Sequence, residues 1–300
     1  MHGNPPARWR RREWCQTLLG VTVGASLGTL TGCTSTPPKQ AISESDRSLL
    51  RHAEFILLGE QHDAPAHHAL EALCTQWLIE TQHLGALVLE MADAGHDTQG
   101  LPRDASEAQT QRALGWQDRA WPWADYAPAI MAAVRAGIPI YGGNLPAASM
   151  AAAMHDSTLS SRLPPAALQS LQTAVRDGHC GLLPESQIAP MARIQIAKDI
   201  SMARTLERVH TPERATLLLC GRVHADRLQG VPLHLARTAR VVSVHLRSAD
   251  SPQADTGAFD LQWLTAATPP RDYCGELKAQ WAQRRVAPHP APKPRANPTQ

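Results

Sequence analysis

Phe55-Ile56-Leu57-Leu58-Gly59-Glu60-Gln61-His62-Asp63 decides the fold. An apolar run of four residues that stops at a glycine is too short for a helix. It also lacks the alternation of a strand with one wet face. It reads as a strand covered on both sides, the kind found in parallel sheets beneath helices. The same pattern recurs in Ala86-Leu87-Val88-Leu89-Glu90-Met91, Ile138-Pro139-Ile140-Tyr141, Thr216-Leu217-Leu218-Leu219-Cys220-Gly221, Val241-Val242-Ser243-Val244-His245-Leu246 and Leu261-Gln262-Trp263-Leu264. Helical periods lie between these runs. Ala66 to Gln82 carries Leu70, Leu73, Trp77 and Leu78 on one side, and Trp123 to Arg135 stops at Gly137. Further helices are expected around 147–155 and 165–176. A long one is expected over 190–209, with Pro190 tolerated in its first turn. Strands alternating with helices predict an α/β fold, with a largely parallel central sheet flanked by helices on both faces.

In such sheets ligands sit beyond the carboxyl ends of the strands. Five polar residues are delivered there: Glu60, His62, Glu90, Asn144 and His224. A buried Glu needs a partner, a metal or a proton, and a His at such an edge can be a ligand, a base or a hydrogen-bond partner. Each also has a plainer reading, the carboxylates as helix caps and the imidazoles as satisfied turn residues. Two strand ends carry the same G-x-x-H spacing, Gly59 to His62 and Gly221 to His224, and a strand-end Glu lies between them. That repetition is more specific than either copy. Met191, Gln195, Asp199 and Met202 share one helical face by spacing. The methionines suit core packing, whereas Gln195 and Asp199 should reach the strand-end cluster. Together Glu60, His62, Glu90 and His224 offer two imidazoles and two carboxylates, enough for a divalent catalytic metal with one base left over.

The N-terminus has its own logic. Arg8, Arg10, Arg11 and Arg12 precede an uncharged stretch from Trp14 to Gly32, which ends Leu30-Thr31-Gly32-Cys33. A basic start, a short apolar core and small residues at a cut site describe a secretory signal. Gly20, Gly24 and Gly28 make the stretch poor material for a permanent span. The ending resembles a lipobox, so residues 1–32 are expected to be a lipoprotein signal peptide and Cys33 the lipid anchor. Arg11-Arg12 also resembles a twin-arginine export signal. Residues 33–45 read as a flexible tether, 46–285 as one domain and 286–300, rich in proline, as a disordered tail. The expected location is the cell envelope, facing the periplasm or the surface. No Asp follows Cys33, which favours the outer membrane. The signal takes four Arg and one Glu with it, turning the formal net charge from +2 to −1. Such a balance excludes the electrostatic footprint of a nucleic-acid binder. Cys74, Cys180, Cys220 and Cys274 could form disulfides in an oxidising compartment, in any of three connectivities.

The chain resembles the ChaN family of haem-binding lipoproteins, within a wider group that includes the Tiki and TraB proteins and erythromycin esterase. The resemblance rests on ordered stretches: Leu57 to Asp63 with His67-His68; Leu89-Glu90-Met91; Trp123 to Pro128; Asn144-Leu145-Pro146; His179 to Pro184; Gln195 with Asp199 and Met202-Ala203; and Cys220 to His224 with Gly230-Val231-Pro232. It spans about Glu54 to Leu246. Arg222 departs from it, standing where a small or polar residue is usual. The resemblance implies a ChaN/erythromycin esterase-like fold and a role in haem and iron uptake. It implies ferric haem held through a tyrosine between two subunits of a homodimer, with a haem receptor as a further partner. Of three tyrosines, Tyr141 falls in a strand and Tyr273 outside the resemblance, so Tyr126 is the expected iron ligand. His179, flanked by Gly178 and Gly181, is the expected helper or alternative ligand. Glu60, His62, Glu90, Asn144, Gln195, Asp199 and His224 are expected around the same cofactor. The wider group's pattern supports the metal-dependent, peptidase-like hydrolase as the alternative.

Overall fold

The computed structural model describes residues 42–251 and 257–286. The expected signal peptide, Cys33, most of the tether and the proline-rich tail lie outside the described residues. Six strands form one sheet: β1 Phe55–Glu60, β2 Leu84–Asp93, β3 Ile140–Asn144, β4 Ala215–Gly221, β5 Val241–Ser248 and β6 Leu261–Thr265. Their order is β3-β2-β4-β1-β5-β6, and every neighbouring pair is parallel. The helices are α1 Glu44–Arg51, α2 Pro65–Glu80, α3 Glu107–Ala113, α4 Trp123–Ala136, α5 Ala147–His155, α6 Pro165–Gly178, α7 Glu185–Val209, α8 Arg222–Ala225 and α9 Tyr273–Val286. No helix among the described residues is long and apolar enough to cross a membrane.

Each apolar run is continuous because the sheet has a core on both faces. Ile56, Leu58, Leu87, Leu89, Leu217 and Leu219 point to one side, where α2 and α4 bring Leu70, Leu78, Ile130 and Ala133. Phe55, Leu57, Val88, Leu218 and Cys220 point to the other, against Met202, Ala203 and Leu206 of α7. Each fully buried Leu or Ile contributes about 1.5–3 kcal/mol, so neither face can be left open to water.

Several boundaries differ from the sequence reading, each for a physical reason. Pro139 has no N–H to give, so β3 starts at Ile140; the Pro139 carbonyl still accepts from Leu87 N at 3.0 Å. Helix α7 starts at Glu185, which places Pro190 in the second turn rather than the first; there it cannot donate to the Ser186 carbonyl. The end of the expected tether belongs to the folded part. Ile42 is buried in the core, and Ser43 Oγ caps α1 by accepting from Asp46 N at 3.1 Å. Gly137 ends α4 in the left-handed region, φ 74°, as expected of a helix-stopping glycine.

Register sets the heights of the strand ends. Glu60 lies level with Gly221, and Gly59 with Cys220. A Cβ on Gly59 would come within 2.8 Å of Ala225 Cβ and 3.1 Å of Arg222 Cα, so this glycine lets α8 lie across the end of β1. Gly59→Ala is expected to cost about 1–3 kcal/mol through overpacking, read as a lower urea midpoint with unchanged m-value.

Candidate functional site

After β1 the chain moves toward β2 and β3, whereas after β4 it moves toward β5 and β6. The two strands are neighbours, and each connection crosses the other strand on the opposite face of the sheet, α2 on one and α8 on the other, which leaves a crevice between them at the carboxyl ends. A cavity of about 1120 Å³ occupies it. The floor carries Glu60, His62, Glu90 and His224; Gln195 and Lys198 come from α7, Trp121 from the segment before α4, and Leu171 and Val175 from α6.

The floor is a network of carboxylates and imidazoles. Glu90, on β2, accepts from Gly221 N at 2.8 Å through Oε2, and its Oε1 lies 3.2 Å from His224 Nε2. His62 Nε2 stands 3.9 Å from Glu90 Oε2, and Lys198 Nζ 3.9 Å from Oε1. His224 Nδ1 donates to Asp199 Oδ1 at 2.6 Å, and His62 Nδ1 donates to Glu60 Oε1 at 2.7 Å. The Tyr126 hydroxyl donates to that same Glu60 oxygen at 2.8 Å.

Electrostatics follow from the pairing. Burial opposes a charge on His224, but Glu90 and Asp199 outweigh it and push the imidazole up to about 10. Burial would also raise Glu90, yet His224, His62 and Lys198 hold it well below the usual carboxylate range. Burial pushes Asp199 up to about 6 against the pull of His224. For Glu60 burial is again outweighed, here by the imidazoles of His62 and His68, and its pKa falls. His62 is raised in turn: burial resists, while Glu60 and Glu90 prevail. Burial, with the Glu60 carboxylate alongside, drives Tyr126 far above an ordinary phenol.

The mouth is built differently. Cys180, just after α6, is disulfide-bonded to Cys274 in the first turn of α9. The residues preceding these cysteines, His179 and Tyr273, both line the cavity. His179 Nδ1 donates to the Val175 carbonyl at 2.8 Å, which fixes the tautomer and leaves Nε2 as a lone-pair donor. The Tyr273 hydroxyl donates to Asp63 Oδ2 at 2.6 Å and accepts from Gln61 Nε2 at 3.0 Å. Tyr273 is 44% exposed, and the Arg271 guanidinium lies 5.2 Å from its ring centre. Burial and the bond to Asp63 raise its pKa. Arg119 and Arg222 complete the basic rim. Cys74 and Cys220 are buried thiols.

Glu60, His62, Glu90, His224 and Asp199 thus converge as the parallel topology requires, and Gln195 and His179 face the same space. Two residues stand elsewhere. Asn144 does not line this cavity; its Oδ1 accepts from Leu145 N at 2.9 Å, holding the turn after β3. Tyr126 is 1% exposed, beneath the floor, with its hydroxyl committed to Glu60. Sequence reasoning set Tyr273 aside as outside the resemblance and missed Arg271; the Cys180–Cys274 bond and the contacts of both residues with Asp63 return them to the cleft. It also missed Glu71, which with His68 on α2 brings a second buried polar pair to Glu60.

A six-stranded parallel sheet with a carboxylate–imidazole floor at its switch point defines a ligand-binding α/β class. Within that class, the family model described as "Haem-binding uptake, Tiki superfamily, ChaN" matches residues 48–235, and the chain belongs to that family. Among solved structures, one described as cofacial heme binding to ChaN of Campylobacter jejuni is 24% identical; the alignment covers 73% of this chain and 91% of that one, with a TM-score of 0.60. The type III effector HopBA1 aligns at 16% identity over 72% of this chain and 88% of its own, and a Bacillus cereus protein at 13% over 78% and 77%, each with a TM-score of 0.40. No curated protein matches the sequence.

A pH test follows from His224. Its folded pKa, about 10, exceeds the ordinary 6.5, so its contribution to stability is complete below pH 6.5 and is lost as pH rises toward 10. Melting temperatures should therefore fall across that interval. His224→Gln should flatten this dependence and cost about 3–5 kcal/mol at the low end, since it strips a buried pair of its cation. An undiminished slope in the variant would remove His224 as its source.

Proposed function

We propose that this protein binds ferric haem in the cleft, with Tyr273 as the iron ligand and His179 beside it. The observation that carries the reading is the pair of donors at the mouth. A half-exposed phenol and an imidazole with a free Nε2 face one cavity, pinned by the bond between the residues that follow them. Phenolate and imidazole are both haem ligand types. The Tyr273 hydroxyl donates a hydrogen bond to Asp63 Oδ2, and the Arg271 guanidinium over its ring would favour the phenolate that ligation requires. Leu171, Val175 and Trp121 suit a flat apolar macrocycle, and Arg119, Arg222 and Arg271 suit its carboxylates. Family membership supports the same cofactor. Bound haem supplies the iron centre that the transport role requires.

Tyr126 is the weaker ligand, because its oxygen lies beneath the floor and its proton is held by Glu60. The open mouth suits haems stacked between two copies of the chain. Within this reading the protein is a lipoprotein anchored through Cys33 in the cell envelope, favouring the outer membrane, where it handles haem for iron uptake, with a haem receptor as partner. The Cys180–Cys274 bond supports an oxidising compartment. The hydrolase reading would take Nε2 of His62 and His224 together with Glu90 as ligands, and a metal there would have to displace the contacts Glu90 already makes with both imidazoles and with Gly221 N–H.

Hemin titration is expected to give a saturable Soret change. Tyr273→Phe should weaken binding at least tenfold and abolish the phenolate charge-transfer band, while Tyr126→Phe leaves both in place. The reverse pattern would return the ligand role to Tyr126. Saturable zinc or manganese binding that His224→Ala abolishes, without any hemin binding, would install the hydrolase instead. Cys274→Ser, which frees α9 from α6, should lower hemin affinity by roughly three- to tenfold; equal affinity would show that the staple does not position the site.

A further inference from the structure

Behind the cleft floor lies a second polar group, distinct from the donors of the mouth. Glu60 reaches it from the end of β1, and His68 and Glu71 from consecutive turns of α2. They are 2%, 6% and 1% exposed. Each offers a donor atom, and the three atoms lie within 4.8 Å of one another.

These donors are only partly used. Glu60 Oε2, both ring nitrogens of His68 and Glu71 Oε1 are buried without a hydrogen-bond partner among the described residues. His68 Nε2 lies 3.0 Å from Glu60 Oε2, an ion-pair contact that leaves His68 Nδ1 and Glu71 Oε1 without a hydrogen-bond partner among the described residues. The other Glu60 oxygen is fully used, accepting from Tyr126 and His62. Orphaned buried polar atoms cost about 1–3 kcal/mol each, and two carboxylates this close repel when both are ionised. A proton shared between Glu60 and Glu71 would relieve the carboxylates but leave His68 Nδ1 without a partner among the described residues.

We propose that Glu60, His68 and Glu71 form a buried binding site for a divalent transition-metal ion. Two carboxylates neutralise a dication, and an imidazole with carboxylates is a donor set suited to zinc or manganese. His68 and Glu71 are three residues apart on α2, so they present donors on one helix face, as i, i+3 carboxylate–histidine pairs do in metal-binding bundles. Metal bonds of ~2.1 Å at tetrahedral angles need donors about 3.4 Å apart, which the side chains reach by moving less than ~1 Å each. The ion holds Glu60 Oε2, which leaves Oε1 to organise Tyr126 and His62. His68 and Glu71 do not line the cleft, so only Glu60 is shared between this site and the cleft floor.

The test uses the full chain, purified, stripped with chelator and titrated with zinc chloride or manganese chloride. Metal retained after dialysis and the melting temperature are read together. About one equivalent per chain and a melting temperature raised by several degrees are expected. Glu71→Gln and His68→Gln, each checked for folding by circular dichroism, should weaken retention at least tenfold, and His224→Gln should retain the ion. Absence of uptake, or loss in His224→Gln with retention in Glu71→Gln, overturns the proposal. So does a Glu71→Gln protein as stable without metal as the parent is with it, because a shared proton then accounts for the pair.

Discussion

The cleft hangs from Glu90. It is a carboxylate 3% exposed on a central strand, and its two oxygens bind the neighbouring strand's end through Gly221 N–H and His224. A buried anion is tolerable only when cations and donors surround it, and the fold supplies them from three segments: His62 after β1, His224 on α8 and Lys198 on α7. In return the anion keeps His224 charged, and that charge recruits Asp199 from α7. Strand β2, the segment after β4 and the long helix are thereby held together by one network rather than by packing alone.

The glycines make that network possible. A Cβ on Gly221 would come within 2.8 Å of His62 Nε2, and one on Gly59 within 2.8 Å of Ala225. Each glycine of the two G-x-x-H stretches thus clears space for the segment that follows the other strand. The repetition in sequence reflects a mutual fit between adjacent parallel strands, set by the pairing of Glu60 with Gly221.

Much of the fold was legible because burial on both faces writes itself as unbroken apolar runs, and the strand-end residues follow once the strands are parallel. Glu60, His62, Glu90, His224 and Asp199 meet for that reason. What was illegible depends on contacts made far along the chain. Tyr273 follows β6 and reaches the cleft beside Cys274, a pairing no spacing reveals among three connectivities. Tyr126 has the spacing of an ordinary amphipathic stripe, and only its bond to Glu60 shows that its oxygen points beneath the floor. Glu71 hides within the even periodicity of α2. Asn144 stands at a strand end like the others, but the turn after β3 uses its side chain locally.

The division between floor and mouth bears on where ligand chemistry occurs. On the floor, hydrogen bonds and ion pairs satisfy the groups among themselves: His224 is held on both nitrogens, and Glu90 on both oxygens. Such a network resists an incoming ligand, which must break an existing pair for each contact it makes. At the mouth the balance reverses. His179 keeps a free lone pair, Tyr273 is half in water and Arg222 is exposed, so contacts with a ligand replace contacts with solvent. The floor therefore acts as rigid support and fixed charge, while the rim, stapled by Cys180 and Cys274, carries the groups a flat, anionic ligand would meet first.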